Sequence, residues 1–153
     1  MMKLHLSPWV PAALCLAYHF FPEGAFLPFL IATCVHELGH IIPIVLVGGS
    51  IRSMRLSLRG AVLETEGLSD RQEAVCAIAG PLAGLVLVLF YKAHPWLAFW
   101  GITQSLVNLF PVYPLDGGRA LACILPYLPH NYAIWIKPLA FVLWSLAALS
   151  LVL

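Results

Sequence analysis

Apolar residues in this chain fall into five long runs, each close to the roughly 20 residues that a helix needs to cross a bilayer. The first, Leu4 to Phe21, is closed by Pro22-Glu23-Gly24, and the second, Ala25 to Val47, by Gly48-Gly49. A polar stretch from Ser50 to Arg71 follows. The third run, Gln72 to Tyr91, ends at Lys92, His94 and Pro95. The fourth begins at Trp96, passes through a Pro/Gly-rich stretch at 111–118 and ends at Leu125. Pro126 to Asn131 reads as a turn, and Tyr132 to Leu153 is the fifth run.

Within the polar stretch the period changes. In Met54-Arg55-Leu56-Ser57-Leu58-Arg59 apolar and polar residues alternate, which predicts a strand. Gly60 can turn it, and Ala61 to Glu64 can return as a hairpin. Ser69 followed by Gln72 is a capping-box pattern and predicts the start of the third helix. The expected fold is an all-α membrane protein of about five transmembrane helices, with a short β-hairpin-like element near residues 51–66. Residues 1–153 are expected to form a single integral membrane domain.

Composition agrees. The chain is 61% hydrophobic and 10% charged, against about half and about a quarter for soluble domains. A net charge of +1 gives a nucleic-acid partner no electrostatic support. Lys3, Arg52, Arg55, Arg59 and Arg71 fall on one side of the expected spans and Lys92 on the other. The excess of positive charge predicts that the N-terminus and the 50–71 loop are cytoplasmic, and five spans would put the C-terminus outside. No A-x-A cleavage pattern follows the first run, so it is expected to be retained. The four cysteines, Cys15, Cys34, Cys76 and Cys123, form no CxxC pair and read as small hydrophobes.

The chemistry sits inside the apolar runs. Cys34-Val35-His36-Glu37-Leu38-Gly39-His40 puts His36 and His40 four residues apart on one helical face. Such a pair can bind one zinc ion, with Glu37 beside it as general base. Catalytic zinc keeps one position open for water and brings the pKa of that water to about 7. The same pattern arises by chance on solvated helices. In an apolar helix, two histidines and a glutamate cost several kcal/mol unless something pairs with them, which favours a functional set. Counted from Ala25, His36 to His40 lie roughly 16–22 Å along the helix, in the cytoplasmic half of the bilayer. Pro43 predicts a kink just past them.

The second segment is Asn108-Leu109-Phe110-Pro111-Val112-Tyr113-Pro114-Leu115-Asp116-Gly117-Gly118-Arg119. Irregular backbone at membrane depth is tolerated where protein buries it or a water-filled cavity lines it. An acidic residue there needs a partner, and Asp116 as third zinc ligand completes the three protein ligands of a catalytic site. Without the histidine pair, 111–118 would read as an interfacial loop. Asn108 suits a hydrogen bond to substrate backbone or a developing oxyanion, and equally a helix–helix hydrogen bond. Gly80-Pro81-Leu82-Ala83-Gly84 spaces small residues four apart, which fits close helix packing. His5, His19, His94 and His130 lie near span ends and read as interfacial.

Together these segments resemble the site-2 proteases, intramembrane zinc metalloproteases. The likeness is to the branch typified by the sporulation stage IV FB protease. Its motifs correspond to His36 to His40, Ala79-Gly80-Pro81-Leu82 and Asn108 to Gly118, in the same order and spacing, and the resemblance covers roughly residues 30–125. It implies regulated intramembrane proteolysis of membrane-bound precursors. His36, His40 and Asp116 become the zinc ligands, Glu37 the base, and Asn108 a substrate contact. The strand-like stretch 51–66 becomes a membrane-associated β region where substrate adds as a strand. The implied partners are a membrane-tethered protein substrate, the lipid bilayer and a regulatory membrane protein, with no nucleic acid. The implied location is the cell membrane, multi-pass, with the active-site opening cytoplasmic. Sporulation-type members carry a sixth span and a nucleotide-sensing CBS domain; this sequence reads as a form without a CBS or PDZ domain. Two other classes compete: a transporter or metal permease, which also places His and Asp in broken helices, and a proteolytically inactive relative. A permease has no need of Glu37 between the two histidines, and an inactive relative usually lacks one of these residues.

Overall fold

A computed structural model of the chain describes residues 3–57 and 60–125. The expected fifth span, the turn before it and His130 lie outside the described residues. The chain opens with a strand, β1 (Lys3–Leu6), and then a helix, α1 (Trp9–Phe20). The hydropathy pattern alone predicts a single first span from Leu4 to Phe21. At 1.5 Å per residue the 12-residue α1 is about 18 Å long, short of the roughly 30 Å hydrocarbon core. Pro8 separates the two pieces: it disfavours helical backbone at Ser7 and is tolerated where α1 begins.

Helix α2 (Phe26–Leu46) follows and runs on through Pro43 for three more residues. The expected hairpin forms with shifted bounds: its first strand begins earlier, and Gly60, expected at the turn, opens the second strand and pairs with Ser57. β2 (Ser50–Ser57) and β3 (Gly60–Glu66) pair antiparallel, with Met54 opposite Leu63 and Arg55 opposite Val62. β1 adds to β2 in parallel, His5 beside Arg55 and Leu6 beside Leu56, giving the order β1-β2-β3. Among the described residues the outer edge of β3 therefore has no strand beside it. On the exposed face, Arg52 pairs with Glu66 at 2.7 Å and Arg55 with Glu64 at 2.8 Å. Ser53 Oγ donates to Glu64 at 2.5 Å, and this bond, with help from Arg55 and Arg52, holds the Glu64 carboxyl below its usual range. On the other face Leu63 is buried with Ile44 of α2, against Ile51, Met54 and Leu68, so burial of apolar area seats the hairpin on the helices.

Helix α3 (Asp70–Val86) starts at the expected capping box. The Ser69 side chain accepts from the Gln72 amide, and the Gln72 side chain accepts from the Ser69 amide at 2.9 Å. A 3₁₀ turn, Leu87–Phe90, extends it. Two shorter helices follow, α4 (Pro95–Asn108) and α5 (Asp116–Ile124), where a single interrupted span had been expected. Among the described residues two stretches are long and apolar enough to cross a membrane, Phe26–Leu46 and Asp70–Phe90. α2 packs against α3 and α4, and α3 against α5. Small residues set these contacts. A Cβ added at Gly39 of α2 would lie 2.6 Å from Ala83 Cβ and 2.9 Å from the Ala79 carbonyl, and one at Gly84 of α3 would collide with Ser105 Oγ of α4. Phe21 stacks on Trp100 at 4.8 Å, joining the end of α1 to α4.

Candidate metal centre

Helix α2 buries two histidines while much of its apolar surface is exposed. Its buried stripe is Ala32, His36, His40 and Ile44, spaced four apart. Leu27, Ile31, Leu38, Ile42 and Val45 on the rest of its surface are 43–65% exposed. A helix in water buries its leucines and leaves its histidines wet; the reverse arrangement suits apolar surroundings.

Opposite the histidines stands Asp116, the first residue of α5. The backbone from Leu109 to Leu115 is irregular, and Leu115 is extended at φ −67°, ψ 159°. The two glycines after Asp116 let α5 start directly on that segment. A Cβ at Gly117 would strike the Leu109 carbonyl, and one at Gly118 the backbone of Val112 and Tyr113. The helix N-terminus also favours a carboxylate.

His36 Nε2 and His40 Nε2 each lie 3.1 Å from Asp116 Oδ2, and 3.2 Å from one another. All three residues are buried, at 4%, 4% and 8% exposure. His40 Nδ1 sits 2.8 Å from the Cys76 carbonyl of α3. A carbonyl only accepts, so Nδ1 carries the proton and the Nε2 lone pair of neutral His40 faces Asp116. Two imidazole nitrogens and a carboxylate oxygen thus converge on one buried point, a set of ligand atoms of the kind that holds a metal ion. Ligands on a tetrahedral zinc with bonds of about 2.0 Å lie about 3.3 Å apart, close to the separations here. The donor set fits zinc.

Gly80 makes room for His40. A Cβ there would collide with Nε2, Cε1 and Cδ2 of the imidazole. The sequence pattern marked Gly80 for helix packing only; the glycine-proline pair inside an apolar helix was the available signal. Arg119, also not singled out, lies one turn after Asp116. Its guanidinium is 3.7 Å from Asp116 Oδ1 and 3.5 Å from Glu73 Oε1 of α3.

Glu37 and Asn108 line the same small cleft as His36, His40 and Asp116, with a volume of about 60 Å³, room for a few water molecules. Asn108 Nδ2 donates to the Gln104 carbonyl of its own helix at 3.0 Å, leaving Oδ1 and one amide hydrogen. Val62, Leu63, Pro114 and Arg119 also line a larger groove of about 410 Å³, between β3 and the start of α5. His5 lies on β1, His19 in the last turn of α1 and His94 just before α4, away from the centre. The four cysteines form no disulfide.

No family model matches the sequence. The chain is 31% identical over 137 residues to the stage IV sporulation protein FB of Bacillus subtilis, an alignment covering 78% of this chain and 46% of that protein. It is 29% identical over 114 residues to a zinc metalloprotease of Methanocaldococcus jannaschii, covering 65% of this chain and 34% of the relative. The chain thus spans less than half the length of these relatives. Its fold matches the solved site-2 protease from Methanocaldococcus jannaschii with a TM-score of 0.67 at 20% identity, over 98% of this chain and 82% of the other. The chain is thus similar in sequence to stage IV sporulation protein FB and to a zinc metalloprotease, and it shares the fold of the site-2 protease.

Proposed function

We propose that this chain is an intramembrane zinc metalloprotease that hydrolyses peptide bonds of membrane-associated proteins within or near the bilayer. The observation that carries the reading is the convergence of His36 Nε2, His40 Nε2 and Asp116 Oδ2 within 3.1–3.2 Å, beside a cleft that Glu37 also lines. These three atoms would hold zinc. Bound there, zinc supplies Lewis acidity to the scissile carbonyl and to the attacking water. The Glu37 carboxylate accepts the water's proton on a carboxylate oxygen and hands it to the leaving amine nitrogen. The Cys76 carbonyl keeps the His40 ring in the tautomer that presents Nε2. Asn108 contacts substrate backbone through its free amide hydrogen or Oδ1.

The substrate is an extended, membrane-tethered segment. The outer edge of β3, which has no strand beside it among the described residues, and the groove of about 410 Å³ beside it support entry by strand addition, because an edge strand offers unpaired N–H and C=O groups. The chain is multi-pass, a reading supported by Phe26–Leu46 and Asp70–Phe90, the two described stretches long and apolar enough to cross a membrane. The N-terminus and the 50–71 loop lie on the cytoplasmic side: the pairing of β1 with β2 supports their sharing a side, and their excess of Lys and Arg supports the cytoplasmic one. The lipid bilayer and a regulatory membrane protein are the remaining partners.

The test is co-expression with a membrane-tethered substrate, comparing the parent chain with Glu37→Gln. Gln is near-isosteric but cannot accept the proton. Zinc content should stay parental while cleavage falls by at least ~10²–10⁴-fold. Cleavage at the parental rate would refute the protease reading and bring the metal permease reading forward. A parent chain that binds zinc but cleaves nothing would favour an inactive relative.

A further inference from the structure

We propose that Arg119 is a positioning residue for Asp116. Its guanidinium, held between Asp116 and Glu73, fixes the Asp116 carboxylate so that Oδ2 alone faces the histidine pair. The inference rests on the metal-centre reading above and adds a residue to it. An aspartate carboxylate has a broad, roughly two-fold χ2 preference, so a single set of contacts on one oxygen leaves it free to rock. Here Oδ2 takes both histidine contacts at 3.1 Å. The remaining oxygen, Oδ1, faces Arg119 Nη1 at 3.7 Å, while Nη2 of the same fork lies 3.5 Å from Glu73 Oε1. Both separations are ion-pair distances, longer than hydrogen bonds.

The environment makes the fork costly unless it is used. The Arg119 and Asp116 side chains are 17% and 11% exposed. A guanidinium keeps its charge at any accessible pH, and a lone charge at membrane depth is expensive. Glu73, at 37% exposure on the neighbouring helix, offsets that charge. The pair therefore adds no net charge beside the metal centre and contributes direction instead. It also ties α3, which carries the Cys76 carbonyl that orients His40, to α5, which carries Asp116. It acts beside the apolar contact of Ala74 and Ala77 with Ala120 that packs α3 on α5. Partners of this kind are typically worth 10–100-fold in metal affinity.

The competing account is that Arg119 and Glu73 only hold α3 and α5 together. The double variant Glu73→Gln/Arg119→Met separates the two, because it keeps the net charge, leaves no unpaired ion and removes the fork. The full chain is purified in detergent. Zinc affinity is read by competition with a chromophoric chelator, the ligand field by the visible absorption of the cobalt(II)-loaded protein, and folding by helical circular dichroism. The double variant should lose 10–100-fold in zinc affinity and change the cobalt bands while keeping its helix signal. Arg119→Lys should fall between it and the parent, since an ammonium carries the charge without the planar fork. Parental affinity and parental cobalt bands in the double variant would overturn the proposal. Should the double variant lose its helix signal, Arg119→Lys decides, and parental affinity and spectrum there would overturn it. Cleavage is assayed separately. A parent chain that binds zinc, loses affinity in the double variant and yet cleaves nothing would uphold Arg119 and reject the protease reading. A parent that binds no zinc would reject both.

Discussion

Gly80→Ala adds one methyl group to a helix and should disable the metal centre. The new Cβ would sit on the His40 imidazole, inside contact with Nε2, Cε1 and Cδ2. Restoring an ordinary separation of about 3.5 Å requires the ring to retreat by more than 1 Å or so. The ring is not free to do that, because Nδ1 is held by the Cys76 carbonyl at 2.8 Å on the same helix as Gly80. Moving the ring breaks a buried hydrogen bond, worth about 0.5–1.5 kcal/mol. Leaving it in place forces α2 and α3 apart, and overpacking of this kind costs about 1–3 kcal/mol. Metal–ligand distances tolerate only about 0.2 Å, so either outcome spoils His40 as a ligand. Zinc affinity should therefore fall, and cleavage of a membrane-tethered substrate should fall by about 10²-fold, the usual cost of a 1 Å misplacement. Gly84→Ala is the control. Its Cβ meets Ser105 Oγ and the Gly101 carbonyl at the α3–α4 contact, none of which is a donor atom. It should lower thermal stability by a similar overpacking cost while zinc bound per folded molecule stays parental. Zinc content and thermal unfolding are measured on both proteins in detergent. Parental zinc content and cleavage in folded Gly80→Ala protein would refute the reasoning.

Asp116→Asn should weaken zinc binding itself, because it removes the one ligand charge of the centre; equilibrium dialysis against zinc buffers reads the loss, in contrast to Glu37→Gln, where metal should be retained. Incubation with a strong chelator should abolish cleavage and added zinc should restore it; activity that survives verified metal removal would contradict the assigned chemistry. Ser69→Ala removes the cap that accepts from the Gln72 amide and should cost about 1 kcal/mol of stability with zinc content unchanged, measured by thermal unfolding beside metal analysis.

The sequence by itself determined several of the local elements and pointed to the residues proposed as metal donors. Helical spacing placed His36 and His40 on one face, alternation from Met54 to Arg59 announced the hairpin, and Ser69-x-x-Gln72 announced the start of α3. These are short-range rules, so they were legible without neighbours. The Asp116 assignment rested on an energetic argument, an acidic residue in a broken apolar run needing a partner, and on resemblance. Only the tertiary structure decided distances. It brought Asp116 Oδ2 to 3.1 Å from both histidines across 80 and 76 residues of chain, which no local pattern encodes. It also decided that residues 3–6 pair with β2 instead of beginning a span. Strand addition depends on a free edge elsewhere in the chain, and hydropathy does not register it. Gly80 and Arg119 acquired roles for the same reason. A missing Cβ matters only when His40 lies against it, and an arginine fork only when α3 brings Glu73 to its other side. Both are facts about packing between helices, where proximity in space sets the chemistry.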